Sequence, residues 1–112
     1  WFSVNPNYKQ INVEAQEDDP GSLLNFYRRL LAFRKNNAVA LYGTYKEYRP
    51  KDKNFYVYER RYGGKRLLVI CNFSEKSQNA AAIYPNPEAI RFHNYPSITP
   101  AVLRPFELIA AL

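Results

Sequence analysis

Methionine is absent from this 112-residue chain. A translated protein starts with one, so the opening Trp1-Phe2-Ser3-Val4-Asn5 leads us to expect an internal or C-terminal piece of a longer polypeptide. Cysteine occurs once, at Cys71, which rules out an intramolecular disulfide. It lies in the apolar run Leu67-Leu68-Val69-Ile70, where a buried structural thiol is expected, and a lone thiol fits a reducing cytoplasm. Histidine also occurs once, at His93, so neither a histidine-based metal cluster nor a Ser-His-Asp triad can be assembled within the chain. Glycine is scarce, and Gly63-Gly64 is a turn rather than a phosphate loop. We therefore expect no metal and no cofactor. No apolar stretch approaches the roughly 20 residues of a membrane span, so no membrane partner is expected.

What is present is ordinary for a folded protein in hydrophobic content (46%) and charge (23%) but rich in aromatics, with ten tyrosines and seven phenylalanines. A chain of this length buries roughly two thirds of its unfolded surface, enough for one small domain or a part of one joined to a second. The net charge of +6 raises a nucleic-acid reading. However, the basic residues come in scattered pairs (Arg28-Arg29, Arg34-Lys35, Arg60-Arg61, Lys65-Arg66), several beside acids, as on solvated faces. The Tyr/Arg alternation of Tyr56–Tyr62 could stack bases, but no glycine-aromatic RNA-recognition pattern accompanies it. No nucleic-acid partner is expected.

Three zones follow one another. Residues 1–19 lack periodicity, and Asn5 before Pro6 is biased away from helix, so an extended loop is expected. Residues 20–36 read as a helix, because Leu23, Leu24, Tyr27, Leu30 and Leu31 recur at three- and four-residue spacing. Phe26 and Phe33 widen that face enough to imply more than one packing neighbour. Asp19 before Pro20 is a good cap, with Ser22 as its rival. Arg34-Lys35 suits the C-terminal end of the helix dipole, and Asn36-Asn37 is a plausible stop. From Ala38 onward short strand-like runs appear: 44–49, 54–62, 65–73, 80–84, 90–94, 101–103 and 106–110. Gly63-Gly64 supplies the positive φ angles of a tight hairpin, and Pro85, Pro87, Pro96, Pro100 and Pro105 punctuate the rest. This spacing suggests an antiparallel sandwich.

The acids offer little chemistry. Glu14, Glu17, Asp18 and Asp19 surround a helix start, where capping explains them. Glu59 is expected to be a cross-strand ion-pair partner, and Glu107 to sit in a strand.

Several separated segments carry a resemblance: Trp1–Val13 (WFSVNPNYKQINV), Ser22–Lys35 (SLLNFYRRLLAFRK), Tyr42-Gly43-Thr44-Tyr45, Leu67–Phe73 (LLVICNF), and His93-Asn94-Tyr95 with Leu103-Arg104-Pro105-Phe106-Glu107. In this order they resemble the C-terminal part of family 13 glycoside hydrolases, the α-amylase superfamily, in its oligo-1,6-glucosidase, α-glucosidase and trehalose-6-phosphate hydrolase subgroup. The resemblance spans essentially the whole chain, with Phe106 standing where a tyrosine is more usual. It implies a mainly β fold: an antiparallel β-sandwich (domain C of such enzymes) over 38–112, preceded over 1–37 by a loop and the last helix of a truncated (β/α)8 barrel. The rest of that barrel would pack on the helix and the β-domain.

The resemblance also implies a parent that is a cytoplasmic retaining hydrolase of α-linked gluco-oligosaccharides, with a carboxylate nucleophile and a carboxylic acid/base on earlier barrel strands. None of the catalytic carboxylates falls in this chain. Only Trp1, Asn5, Asn7 and Tyr8 would lie near substrate, the amides bonding sugar hydroxyls and the rings stacking. Against this stands a loop pinned by Asx turns and aromatic packing. The alternative function is a non-catalytic carbohydrate-binding β-module using Tyr56 and Tyr58.

Overall fold

In the computed structural model, which describes residues 2–112, the chain forms two compact units, one ending at Phe33 and the other running Arg34–Leu112. The first is not the extended loop expected. Pro6–Lys9 forms a 3₁₀ turn headed by Asn5, and Val13–Glu17 forms a short helix, α1, capped by Asn12, whose Oδ1 accepts from the Ala15 N–H at 2.8 Å. Three asparagines in eight residues can cap and turn the chain locally, with no apolar period to announce it.

Helix α2 spans Leu23–Asn36 and starts three residues later than expected. Ser22 wins the cap: its Oγ accepts from the Asn25 N–H at 3.3 Å. Asp19 instead closes an Asx turn, accepting from the Gly21 N–H at 2.8 Å. No residue of α2 is buried, and Leu23, Tyr27 and Leu31 leave an open stripe at four-residue spacing. The zone expected to be β from Ala38 opens instead with one more helix, α3, over Ala38–Tyr42. Val39 and Ala40 are buried there.

Seven strands follow: β1 Thr44–Tyr48, β2 Phe55–Tyr62, β3 Lys65–Asn72, β4 Gln78–Asn79, β5 Ile90–His93, β6 Val102–Leu103 and β7 Leu108–Ala111. β1-β2-β3-β7-β5 form one sheet in that order, and β4 pairs with β6 in a second. Every pairing is antiparallel, as the sandwich expectation required. Gly63 and Gly64 turn β2 into β3 with φ of 56° and 76°, and the register runs without a slip from Tyr62↔Lys65 to Phe55↔Asn72. The alternation of β2, buried at Phe55, Val57 and Glu59, fixes that register. Phe55, Val57 and Ile70 join Ile109, Leu103 and Ala80 in the core between the sheets, with Leu68, Ile83, Tyr84, Ile90 and Ile98 around them.

Helix α3 packs against β2 and β3, and Arg60 ties it down by donating to the Gly43 carbonyl from Nε (3.1 Å) and Nη2 (2.7 Å). A β-carbon on Gly43 would meet the Val39 carbonyl oxygen at 2.4 Å and the Arg60 Cβ at 2.9 Å. That glycine is there for space, since its φ of −60° suits any residue.

Two expected strands are corrected. Residues 80–84 are a turn, because the Ala80 carbonyl accepts from the N–H groups of both Ile83 and Tyr84 at 2.8 Å; the strand lies just before it, at Gln78–Asn79. The last strand begins at Leu108 rather than Phe106. Phe106 takes φ 54° in a turn after Pro105, and Glu107 is therefore in no strand.

Candidate functional site

The loop expected near substrate is a set of local turns. The Asn5 side chain is engaged as a cap, its Oδ1 accepting from the Asn7 N–H at 3.1 Å. The Asn7 carbonyl takes the N–H groups of Gln10 and Ile11 at 2.9 and 2.8 Å. Tyr8 anchors the loop through its backbone, which receives the Asn12 side-chain amide at 3.0 Å, while its ring stands exposed. Asn5, Asn7 and Tyr8 thus share one turn, with the Asn7 side chain and the Tyr8 ring open to solvent. Trp1 lies outside the described residues.

A clamp missed in the sequence holds this segment to α2. The Asn25 side-chain N–H₂ lies 2.8–2.9 Å from the carbonyls of Gln16, Glu17 and Asp19. Ser22 Oγ donates to the Gln16 carbonyl at 2.8 Å, and Gln16 Oε1 accepts from the Leu24 N–H at 3.0 Å. The only trace in sequence is three polar residues (Gln16, Ser22, Asn25) around a helix start.

Among the acids, two are buried, and both are saturated by arginines. Glu59, on the core face of β2, accepts from Arg61 Nε and from Arg66 Nε of β3, each at 2.7 Å, so it is the cross-strand partner expected. The Arg61 hydrogen bond, followed by those of Arg66 and Tyr48, outweighs burial and holds the carboxyl down to about 2. Burial pushes Glu107 up. The Arg104 side chain (2.7 and 3.0 Å) and the Arg104 backbone N–H (2.7 Å) more than reverse this, and the carboxyl sits below its ordinary range. A catalytic acid at neutral pH needs a raised pKa. Both of these carboxylates are shifted the other way.

Glu107 also organises the closing motif. Asn94 Oδ1 accepts from the Leu108 N–H (2.8 Å) while its N–H₂ donates to the Phe106 carbonyl (2.9 Å). The Tyr95 hydroxyl donates to the Pro105 carbonyl at 2.7 Å, and the Arg104 guanidinium lies 4.0 Å above the Tyr95 ring. His93 Nδ1 donates to the Tyr95 carbonyl at 2.5 Å. The segments 93–95 and 103–107, separate in sequence, are one hydrogen-bonded unit.

Two surfaces of the β-unit bear on binding. On the sheet face opposite the core, Tyr56 stacks on Phe73 (5.9 Å, 16°) and contacts Tyr58, and its hydroxyl lies 2.8 Å from that of Tyr45. Tyr45 and Phe73 are exposed. Elsewhere a groove of about 570 Å³ is lined by Tyr48, Arg49, Val57, Arg66, Leu68 and Tyr84, among others. Cys71 is buried, and burial pushes its thiol up to about 11.

An antiparallel β-domain preceded by a capped helix is the architecture of the C-terminal domain of α-amylase-type enzymes, and comparison with known proteins agrees. The family profile described as "Alpha amylase, catalytic domain" matches residues 1–43. The oligo-1,6-glucosidase of Parageobacillus thermoglucosidasius is 46% identical over 77 residues, which are 69% of this chain and 14% of that protein. The Bacillus cereus oligo-1,6-glucosidase is 36% identical over 118 residues, covering 96% of this chain and 20% of that protein. The trehalose-6-phosphate hydrolase of Escherichia coli K12 is 36% identical over 115 residues, covering 97% and 21%. The crystal structure of isomaltulose synthase from Klebsiella sp. LX3 superposes with a TM-score of 0.86 at 30% identity, over 99% of this chain and 21% of that one. The chain belongs to the α-amylase family. It spans about a fifth or less of the length of these relatives.

Proposed function

We propose that the chain is the C-terminal part of a cytoplasmic α-glucosidase-type retaining hydrolase acting on α-linked gluco-oligosaccharides, and that within it these residues are structural rather than catalytic. The observation that carries the structural role is the state of the two buried acids. Glu59 and Glu107 are buried with their carboxylate oxygens taken by arginine donors, which argues against a nucleophile, and both are held below the ordinary range, which argues against an acid/base. Names of relatives support the substrate class: oligo-1,6-glucosidase and trehalose-6-phosphate hydrolase both cleave glucosidic bonds.

In this reading residues 1–37 complete a catalytic barrel, and 38–112 form the β-domain behind it. The open stripe of α2 and the Tyr45/Tyr56/Phe73 surface are where the remainder of the polypeptide packs. Of the candidates Asn5, Asn7 and Tyr8, the latter two have exposed side chains left to meet substrate, and Trp1 joins them by sequence. The test is hydrolysis of isomaltose, maltose and trehalose 6-phosphate by the complete gene product. Release of glucose from at least one is expected, with the initially formed anomer retained. No turnover on any α-glucoside would overturn the proposal.

A second reading keeps a carbohydrate-binding role for the β-domain itself. The groove beside Tyr48 and Tyr84 favours it more than the Tyr56–Tyr58 ridge, whose rings are half-buried against one another.

A further inference from the structure

Beside the groove, the strand register gathers charge on one face of the large sheet. Tyr48 stands opposite Val57, Lys46 opposite Glu59 and Arg61 opposite Arg66, all on that face. One carboxylate serves two guanidiniums there: Glu59 accepts from Arg61 Nε and from Arg66 Nε, each at 2.7 Å. Arg49 pairs with Asp52 at 3.3 Å, and Lys46 Nζ lies 5.0 Å from the centroid of the Tyr48 ring. Four cations thus face two carboxylates, an excess of two positive charges. A terminal carboxylate on Leu112, which also lines the groove, would still leave one. Glu107, the other acid felt by Tyr84, is matched by Arg104.

Arg49 and Arg66 line the groove and meet their carboxylates through Nε, so their terminal nitrogens remain as donors. Around them the lining is apolar or aromatic, from Val57, Leu68, Tyr48 and Tyr84. A volume of about 570 Å³ suits a small molecule of several rings. The net charge favours a ligand with an anionic end, and the tyrosines favour a flat apolar body joined to it. A phosphate meets guanidinium donors in matched geometry, and a planar base stacks on an aromatic ring. We propose that the groove binds a nucleoside phosphate, with its phosphate on Arg49 and Arg66 and its base against Tyr48 and Tyr84. The site uses none of the residues placed near substrate in the hydrolase reading, and the neutral sugar of the second reading becomes an outcome of the test.

Calorimetric titration of adenosine monophosphate into the complete gene product tests this. An iminosugar inhibitor is kept saturating so that any glucosidase site is already filled. Saturable binding with a Kd below about 1 mM is expected. Adenosine, which lacks the charge, and inorganic phosphate, which lacks the ring, should each bind at least about tenfold more weakly. Arg49→Gln and Tyr84→Leu should each weaken the nucleotide by about tenfold. Tyr84 also packs on the core. Arg49 is half-exposed, and Asp52 keeps the N–H groups of Asn54 and Phe55 without it, so Arg49→Gln reads the groove in a chain whose fold is unaltered. Absence of saturable binding would overturn the assignment. So would adenosine, phosphate or maltose binding as tightly as the nucleotide, or normal binding by Arg49→Gln. If the gene product proves to have no glucosidase activity, the inhibitor is silent and the groove result stands unchanged.

Discussion

Replacing Asn72 tests how the two sheets of the β-unit are joined. Its side chain is fully buried at the end of β3. Its N–H₂ lies 2.8 Å from the Lys76 carbonyl, 3.1 Å from that of Leu103 and 2.9 Å from that of Arg104, and its Oδ1 accepts from the Ser74 N–H and hydroxyl at 2.9 and 2.7 Å. One amide thus links the large sheet, the loop after it and the chain leaving β6. In Asn72→Ala the two amide protons lose their carbonyls and the Ser74 N–H and hydroxyl lose Oδ1, four losses worth about 1 kcal/mol net each. The sum is about 3–5 kcal/mol, a large share of the roughly 5–15 kcal/mol that holds a domain together.

Urea unfolding followed by near-ultraviolet circular dichroism of the tyrosines reads this directly. With a slope of about 1.5 kcal/mol per molar, the midpoint should fall by roughly 2–3 M. Asn72→Asp separates the donor bonds from the volume. It keeps shape and acceptors but sets a carboxylate against three carbonyls, so it should be at least as damaging as alanine. A midpoint shift below about 0.5 M for alanine, or an aspartate variant as stable as the parent, would refute the cradle.

Three further outcomes are expected. Glu59 has a folded pKa of about 2 against an ordinary 4.5, so its contribution is complete above 4.5 and drains away as pH falls toward 2. Urea midpoints measured down that range should drop in the parent and drop less steeply in Glu59→Gln, where Glu107 and Asp52 keep part of the acid limb; equal acid limbs would contradict the ion triad. Gly43→Ala must push a methyl into the Val39 carbonyl and should lose about 1–3 kcal/mol by thermal unfolding, whereas an unchanged melting temperature would mean that α3 moves freely off the sheet. The Cys71 thiol, raised to about 11 by burial, should stay silent to an aromatic disulfide reagent at mildly alkaline pH and react once per chain in denaturant; prompt reaction in the native state would show that β3 is exposed.

The parts of the fold legible in sequence are those set by short-range period. Alternation along Phe55–Tyr62 and a Gly-Gly turn specify the central hairpin to within one residue at its outer ends, and the leucine stripe specifies α2 apart from its start. Where polar side chains rather than periodicity decide, the sequence reading slipped. Asn12 builds α1, Ser22 displaces Asp19 as cap, and Glu107 bends the chain at Phe106 before the last strand. Ala80–Tyr84 looked like a strand because it is apolar, yet one carbonyl folds it into a turn and its apolar side chains still reach the core. The site was the least legible. Asn5, Asn7 and Tyr8 were visible as a cluster because they are neighbours in sequence. The groove joins Tyr48 to Tyr84, and the Asn72 cradle joins residues some thirty positions apart, so no local pattern could reveal either.

The central claim is that this chain supports a glucosidase without performing its chemistry. Hydrolysis of a nitrophenyl α-glucoside by the complete gene product, measured beside its Glu59→Gln and Glu107→Gln variants and corrected for the fraction folded, tests it most directly. The account predicts turnover per folded molecule within about threefold of the parent for both variants, since only a group acting in the transition state changes it by orders of magnitude. A loss of a hundredfold or more in either variant, with folding intact, would place a catalytic carboxylate in this chain and contradict the account.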